Sequence, residues 1–177
     1  MVGALFFLSG ACALGYEVVW ARTLALTLGG SAAANAAVLA CFLGGLAVGG
    51  VLLGPAADRA ERPLKLFAWL ELGVALCGFA APWALRAPAG LILVAAAAML
   101  MGGTLPALTR AMDAERGLER GVAFLGAANN AGGAAGALLA GFVLLPVLGL
   151  TGASHLLAGV GLLTAAVNRM KKGERFE

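Results

Sequence analysis

Residues 33–57 read AANAAVLACFLGGLAVGGVLLGPAA, an uncharged run ended by Asp58-Arg59-Ala60-Glu61-Arg62-Pro63. As an α-helix this run is about 37 Å long at a rise of about 1.5 Å per residue, enough to cross a bilayer core of about 30 Å. It is apolar on every side, so it does not read as the amphipathic helix of a soluble domain. Pro63 suits the first turn of a following helix.

Outward from this run the pattern repeats. Apolar segments occupy about 2–28, 64–85, 89–109, 122–145 and 153–167, separated by short polar or Gly/Pro-containing stretches. Arg86-Ala87-Pro88 closes the third segment, and Arg110 to Arg120 holds six charges in eleven residues after the fourth. Pro146 ends the fifth, and Leu148-Gly149-Leu150-Thr151-Gly152 reads as a tight turn into the sixth. Only 12% of the chain is charged and 62% is apolar, whereas a soluble domain carries about 25% charged residues. The 27 glycines would weaken soluble helices, but small side chains let membrane helices approach closely. The expected fold is an all-α membrane protein, a single domain over residues 1–177 with six transmembrane helices.

Charge placement sets the expected orientation. Ten of the twelve basic residues, Arg59, Arg62, Lys65, Arg110, Arg116, Arg120, Arg169, Lys171, Lys172 and Arg175, fall on one side of a six-helix arrangement, and Arg22 and Arg86 fall on the other. The positive-inside rule makes the first side cytoplasmic. Both termini and residues 58–65, 110–121 and 168–177 are therefore expected in the cytoplasm of a bacterial inner-membrane protein. Tyr16, Trp20 and Arg22 are expected near the outer interface of the first helix. The N-terminus has no basic n-region, and Ser9-Gly10-Ala11-Cys12 does not match a lipoprotein signal, so the first helix is expected to be retained.

Several functional classes find no support. The net charge of +3 comes from segment ends rather than from a basic stripe with aromatics, so nucleic acid is not an expected partner. Cys12, Cys41 and Cys77 stand alone in apolar runs without metal-ligand spacing. Neither a metal nor a cofactor is expected. With one histidine and scattered acids, no nucleophile–base constellation is present, and the chain is not expected to be an enzyme.

Gly44-Gly45-Leu46-Ala47-Val48-Gly49-Gly50 in the second helix is similar to Gly132-Gly133-Ala134-Ala135-Gly136 in the fifth, and these helices run in opposite directions. That relation suits a three-plus-three inverted repeat of the kind found in each half of a major facilitator transporter. Gly45/Gly49, Gly50/Gly54 and Gly132/Gly136 also have small-xxx-small spacing and predict close helix contacts. Thr104 and Pro106 predict a kink in the fourth helix.

Gly54-Pro55-Ala56-Ala57-Asp58-Arg59-Ala60-Glu61-Arg62 lies between the second and third helices. There it resembles the cytoplasmic signature loop of the major facilitator superfamily, in which an aspartate beside arginines latches one state. Gly54, Asp58, Arg59 and Arg62 are the latch candidates. Glu61 stands where that signature prefers glycine, which puts the tight turn in question. The ordered set Tyr16-Glu17-Val18-Val19-Trp20-Ala21-Arg22, Gly54 to Arg62, Gly103-Thr104-Leu105-Pro106, Ala127-Ala128-Asn129-Asn130 and Gly136 to Pro146 resembles the membrane domain of fused transporter-like/spermidine-synthase-like bacterial proteins. This resemblance covers nearly the whole chain. It implies one half of a major-facilitator-like bundle, while the aminopropyltransferase domain of that family is missing here.

Ionisable groups inside a bilayer are costly and point to function. Glu17, Arg22, Glu71 and His155 are the candidates for substrate or proton contact, with interfacial snorkelling or a structural hydrogen bond as the plainer roles. Glu17, Arg22 and His155 fall at similar outer depth, where they could line one polar cavity. Asn129 and Asn130 are expected as interhelical hydrogen-bonding groups. The resulting functional expectation is a transporter-like half-module. By resemblance, its solute would be a polyamine or another small amine. The alternative is a membrane anchor for a separate spermidine-synthase-like enzyme. Expected partners are lipid, a second copy or related membrane subunit, and, on the alternative, that soluble enzyme.

Overall fold

In a computed structural model, residues 2–116 and 118–170 are described, without side chains at 34, 113–116, 118 and 167–170. The cationic tail Lys171, Lys172 and Arg175 lies outside the described residues, as does position 117. Among the described residues the chain is helical with no strand. The helices are α1 (Val2–Leu28), α2 (Ala32–Asp58), α3 (Pro63–Ala84), α4 (Gly90–Gly102), α5 (Thr104–Arg116), α6 (Leu118–Leu139) and α7 (Leu145–Met170), with a π turn (Ala140–Leu144) between α6 and α7. Five helical runs are long and apolar enough to cross a membrane, and the last of them extends over Glu119–Ala166. The chain is thus compatible with a multi-pass α-helical membrane protein.

The breaks follow from the backbone chemistry. Pro63 occupies the first turn of α3, where its missing N–H costs nothing. Pro106 cannot donate to the carbonyl of Gly102, and the helix breaks just there: Gly103 N donates back three residues to Leu100 O, and the Thr104 hydroxyl closes on Met101 O at 2.6 Å. The polar residues that follow do not form an open loop but continue as α5, since Ala, Met, Glu and Arg are good helix formers. Pro146 does not stop the helix as its position suggested. The π turn immediately before it widens the backbone, giving room for the carbonyl that the proline ring displaces. The direction changes at Gly149, whose φ of 66° and ψ of −176° lie outside the helical region and favour glycine.

Side-chain pairings fix the helix directions. Ser9 meets Glu71 and Thr27 meets Leu85, so α1 and α3 run parallel. Trp20 meets Ser154 and Cys12 meets Leu157, so α7 runs against both. By contrast, α6 runs with α1: Gly132 packs on the Phe7 carbonyl and Gly136 on that of Ala11. The same arrangement joins α2 and α4, where Gly45 meets the Ala95 carbonyl and Gly49 that of Met99. At all four glycines a Cβ would fall into or against the backbone of the neighbour, so each contact depends on the missing side chain. One end of the bundle carries the turns at residues 29–31, 85–89 and Gly149; the other, the charged end, carries residues 59–62.

Two apolar clusters divide the interior. Leu5, Phe6, Phe67, Leu108, Met112 and Leu125 fill the charged end, and a larger cluster including Tyr16, Trp20, Leu24, Phe42, Leu85 and Val94 fills the middle and the turn end.

Candidate functional site

Tyr16 and Trp20, expected near the outer interface, face the inside of the bundle. Both are fully buried at 0% exposure, and their rings stack with centroids 4.7 Å apart. The reason is azimuth: they lie on the same face of α1 as Ser9 and Cys12, and that face meets α3 and α7. Gly78 of α3 makes the approach possible, because a Cβ there would meet the Tyr16 hydroxyl and ring.

On α3, Pro82 has no N–H for the carbonyl of Gly78, four residues earlier, so that oxygen lacks its helical donor. Ser154 Oγ of α7 donates to Gly78 O at 2.8 Å, and Trp20 Nε1 donates to Ser154 Oγ at 3.4 Å. One proline thus creates an acceptor that ties three helices together. Farther towards the charged end, Cys12 Sγ approaches Leu157 O at 3.7 Å.

Glu71 closes this seam. It is only 3% exposed. Ser9 Oγ donates to its Oε1 at 2.5 Å, and Thr164 Oγ1 lies 3.2 Å from Oε2 while also donating to Gly161 O at 2.7 Å. Among the described residues it forms no ion pair. An ionised carboxylate in such surroundings is costly unless hydrogen bonds and charge compensate it, so this group is the chemically most demanding one in the bundle. The hydroxyl of Tyr16, in the same seam, is buried with no hydrogen-bond partner among the described residues.

The other ionisable candidates lie elsewhere. Glu17 is half-buried and Arg22 exposed, and neither forms a hydrogen bond or ion pair among the described residues. His155 is packed against Phe79 and Trp83, with ring centroids 5.4 and 5.7 Å away; its Nε2 is buried and has no hydrogen-bond partner among the described residues. A cavity of about 240 Å³ at the turn end is lined by Trp20, Thr23, Thr27, Pro82, Arg86 and Ser154, among others. Glu17, Arg22 and His155 are not among its lining residues.

In the loop at the charged end, α2 ends at Asp58, and Lys65 N and Leu66 N both donate to Arg62 O. Glu61 adopts no positive φ, so the turn forms without the glycine of the signature. Asp58, Arg59 and Arg62 are exposed, with no ion pair between them, and nothing lies within 4 Å of a Cβ at Gly54. Asn129 lies against Gly10 of α1, whereas Asn130 is exposed.

Ser9, Ser154 and Thr164 were not singled out by sequence reasoning, and Tyr16 was expected only as an interfacial aromatic. Pro82 was a usable signal, since a proline inside an apolar helix frees the carbonyl four residues before it. No family model, curated protein or solved structure matches this chain.

Proposed function

We propose that this chain is a transporter-like module of a bacterial inner membrane, with Glu71 as its working carboxyl. The observation that carries this reading is Glu71 itself: a carboxyl buried between three apolar helices, hydrogen-bonded by two hydroxyls and paired with no cation of its own chain among the described residues. A small amine, the solute implied by the family resemblance, would supply the missing positive charge.

Six crossings are the reading that suits this bundle. A continuous 48-residue span over Glu119–Ala166 would be about 72 Å long, more than twice the bilayer core. The reversal between α6 and α7 at Gly149 divides it into two spans. The charged end is then cytoplasmic, by the same basic-residue asymmetry. A cysteine introduced at position 61 should resist a membrane-impermeant reagent applied to intact cells, and labelling there would reverse the topology.

An inverted repeat is supported by the packing. Gly45 and Gly49 stand 87 residues before Gly132 and Gly136, while their partners Ala95 and Met99 stand 88 after Phe7 and Ala11. A near-constant offset thus exchanges the α2–α4 contact with the α6–α1 contact. The unpaired Asp58, Arg59 and Arg62 side chains leave the latch free for a second copy or a related subunit, as in a homodimer of half-modules. Gly45 and Gly49 of α2 and Gly132 and Gly136 of α6, in contrast, are used within the chain.

The test is flux in proteoliposomes holding the full chain. Uptake of a labelled diamine that is lost in Glu71→Gln, with helicity and monodispersity retained, is the expected result; equal uptake by that variant overturns the assignment. The alternative of an enzyme anchor draws on α7 ending at the charged end, from which a soluble partner could be bound. Native mass spectrometry from mild detergent separates the two by showing either a second membrane chain or a soluble one.

A further inference from the structure

The two routes to Glu71 differ in chemistry. Glu71 stands eight residues into α3, about 12 Å from the charged end and about 20 Å from the turn end at the helical rise. The shorter route is closed by apolar side chains: Leu5, Phe6, Phe67, Leu108, Met112 and Leu125 form one buried cluster. Along the longer route polar groups recur at helical spacing on α1. Thr27 and Thr23 border the cavity, Trp20 and Ser154 lie at its inner wall, and the unpartnered Tyr16 hydroxyl and Cys12 follow before Ser9 and Glu71.

We propose that Glu71 is a proton-binding site reached from the turn end alone, with the stacked Tyr16 and Trp20 rings as the closure between it and the water-facing cavity. The proposal rests on the reading of Glu71 as the working carboxyl and names its ligand as the proton. The step is simple: hydronium at the cavity gives up H⁺, the Glu71 carboxylate accepts it to become a carboxyl, and water remains. A proton adds almost no volume. That suits a group at 3% exposure whose two oxygens are already approached by Ser9 and Thr164.

The surroundings favour a transferable proton over a fixed ion pair. α1 presents Ser9, Cys12 and Tyr16 to this region, all three buried. Cys77, on the same helix as Glu71, is partly buried against the cluster that holds Tyr16. α7 presents the Thr164 hydroxyl. α4 and α5 add apolar side chains, Met101, Leu108 and Met112 among them, together with the buried hydroxyls of Thr104 and Thr109, while Arg110 of α5 is exposed. The Tyr16 hydroxyl can both donate and accept, and it lies between the cavity and the carboxyl.

A hydrophobic carbodiimide tests this, because it reacts with a membrane carboxyl only when that carboxyl carries a proton. The full chain is reconstituted in one orientation, the pH is changed on one side at a time, and adducts at Glu71 are quantified by peptide mass spectrometry. Labelling should fall several-fold when pH rises on the side of residues 85–89 and stay constant when it rises on the side of Asp58. A response to the Asp58 side, or to neither side, overturns the proposal. Adducts at Glu17 in the same sample serve as the control for reagent access. Tyr16→Phe keeps the ring stack and removes the hydroxyl, so it should slow the response without changing its side; an unchanged rate removes Tyr16 from the route. Sided labelling with no amine flux would leave this site standing and discard the amine, whereas Glu71-dependent flux with unsided labelling would do the reverse.

Discussion

The glycine contacts of α1 with α6 and of α2 with α4 differ in kind from the seam of α1, α3 and α7. At the glycine contacts backbone touches backbone, and the only requirement on the sequence is that nothing be present: Gly49 and Gly136 meet carbonyl oxygens of Met99 and Ala11. In the seam every contact names an atom, such as Ser154 Oγ on Gly78 O or Ser9 Oγ on Glu71. Membrane helices lack a strong hydrophobic drive towards one another, so close packing supplies association. The comparison teaches that two kinds of contact hold this bundle: volume alone joins α1 to α6 and α2 to α4, while named polar atoms tie α1, α3 and α7.

The strongest challenge to that division is a change of volume. Gly49→Leu or Gly136→Leu should prevent accumulation of a monodisperse protein in detergent, because the backbone on the other side cannot yield, and overpacking alone costs about 1–3 kcal/mol or more. Gly54→Leu and Gly141→Leu, with nothing within 4 Å, should behave like the parent chain in size-exclusion chromatography. Equal behaviour of the two sets would erase the distinction.

Next comes a change of chemistry without volume. Glu71→Gln should leave the melting temperature within a few degrees of the parent while abolishing flux, and a collapse comparable to that of Gly136→Leu would make Glu71 a structural group. A smaller effect is expected of Ser154→Ala, which leaves Gly78 O without either a helical or a side-chain donor. Interhelical hydrogen bonds in membranes are worth about 0.6 kcal/mol on average and up to about 1.7, so a loss in that range should appear in chemical denaturation. The smallest change belongs to Tyr16→Phe. Its hydroxyl has no partner among the described residues, and removing an unsatisfied buried group is neutral or slightly stabilising; a clear loss of stability would mean that the hydroxyl is bonded in the membrane.

The long apolar helices were legible in the sequence because a charge-free run such as 33–57 has little choice in a bilayer. What hydropathy reads is depth, and the seam is a matter of azimuth. α1 is apolar almost all round, so no stripe marks the face carrying Ser9, Cys12, Tyr16 and Trp20. Interfacial preference therefore said nothing of the face on which both aromatics lie, which is set by the space over Gly78 and by Ser154. Glu71 could be recognised as unusual from its type alone. Its hydroxyl partners could not, since Ser9 and Thr164 stand on helices distant in sequence. Glycine spacing indicated close contacts but not their partner, and here the four closest of them lie within the chain.

The π turn at Ala140–Leu144 has a consequence for length rather than composition. Closing a backbone ring from i to i+5 takes one residue more than closing it from i to i+4, and one residue is about 100° of rotation in an α-helix. The turn thus acts as a phase shifter, setting the compass bearing at which the chain arrives at Gly149 and starts back. Phe142, at 78%, and Val143 are exposed in it, so these two positions should tolerate exchange of one apolar residue for another while the segment tolerates no deletion: losing a single position would straighten the coil and send Ser154 and Thr164 round to the wrong side of the returning helix.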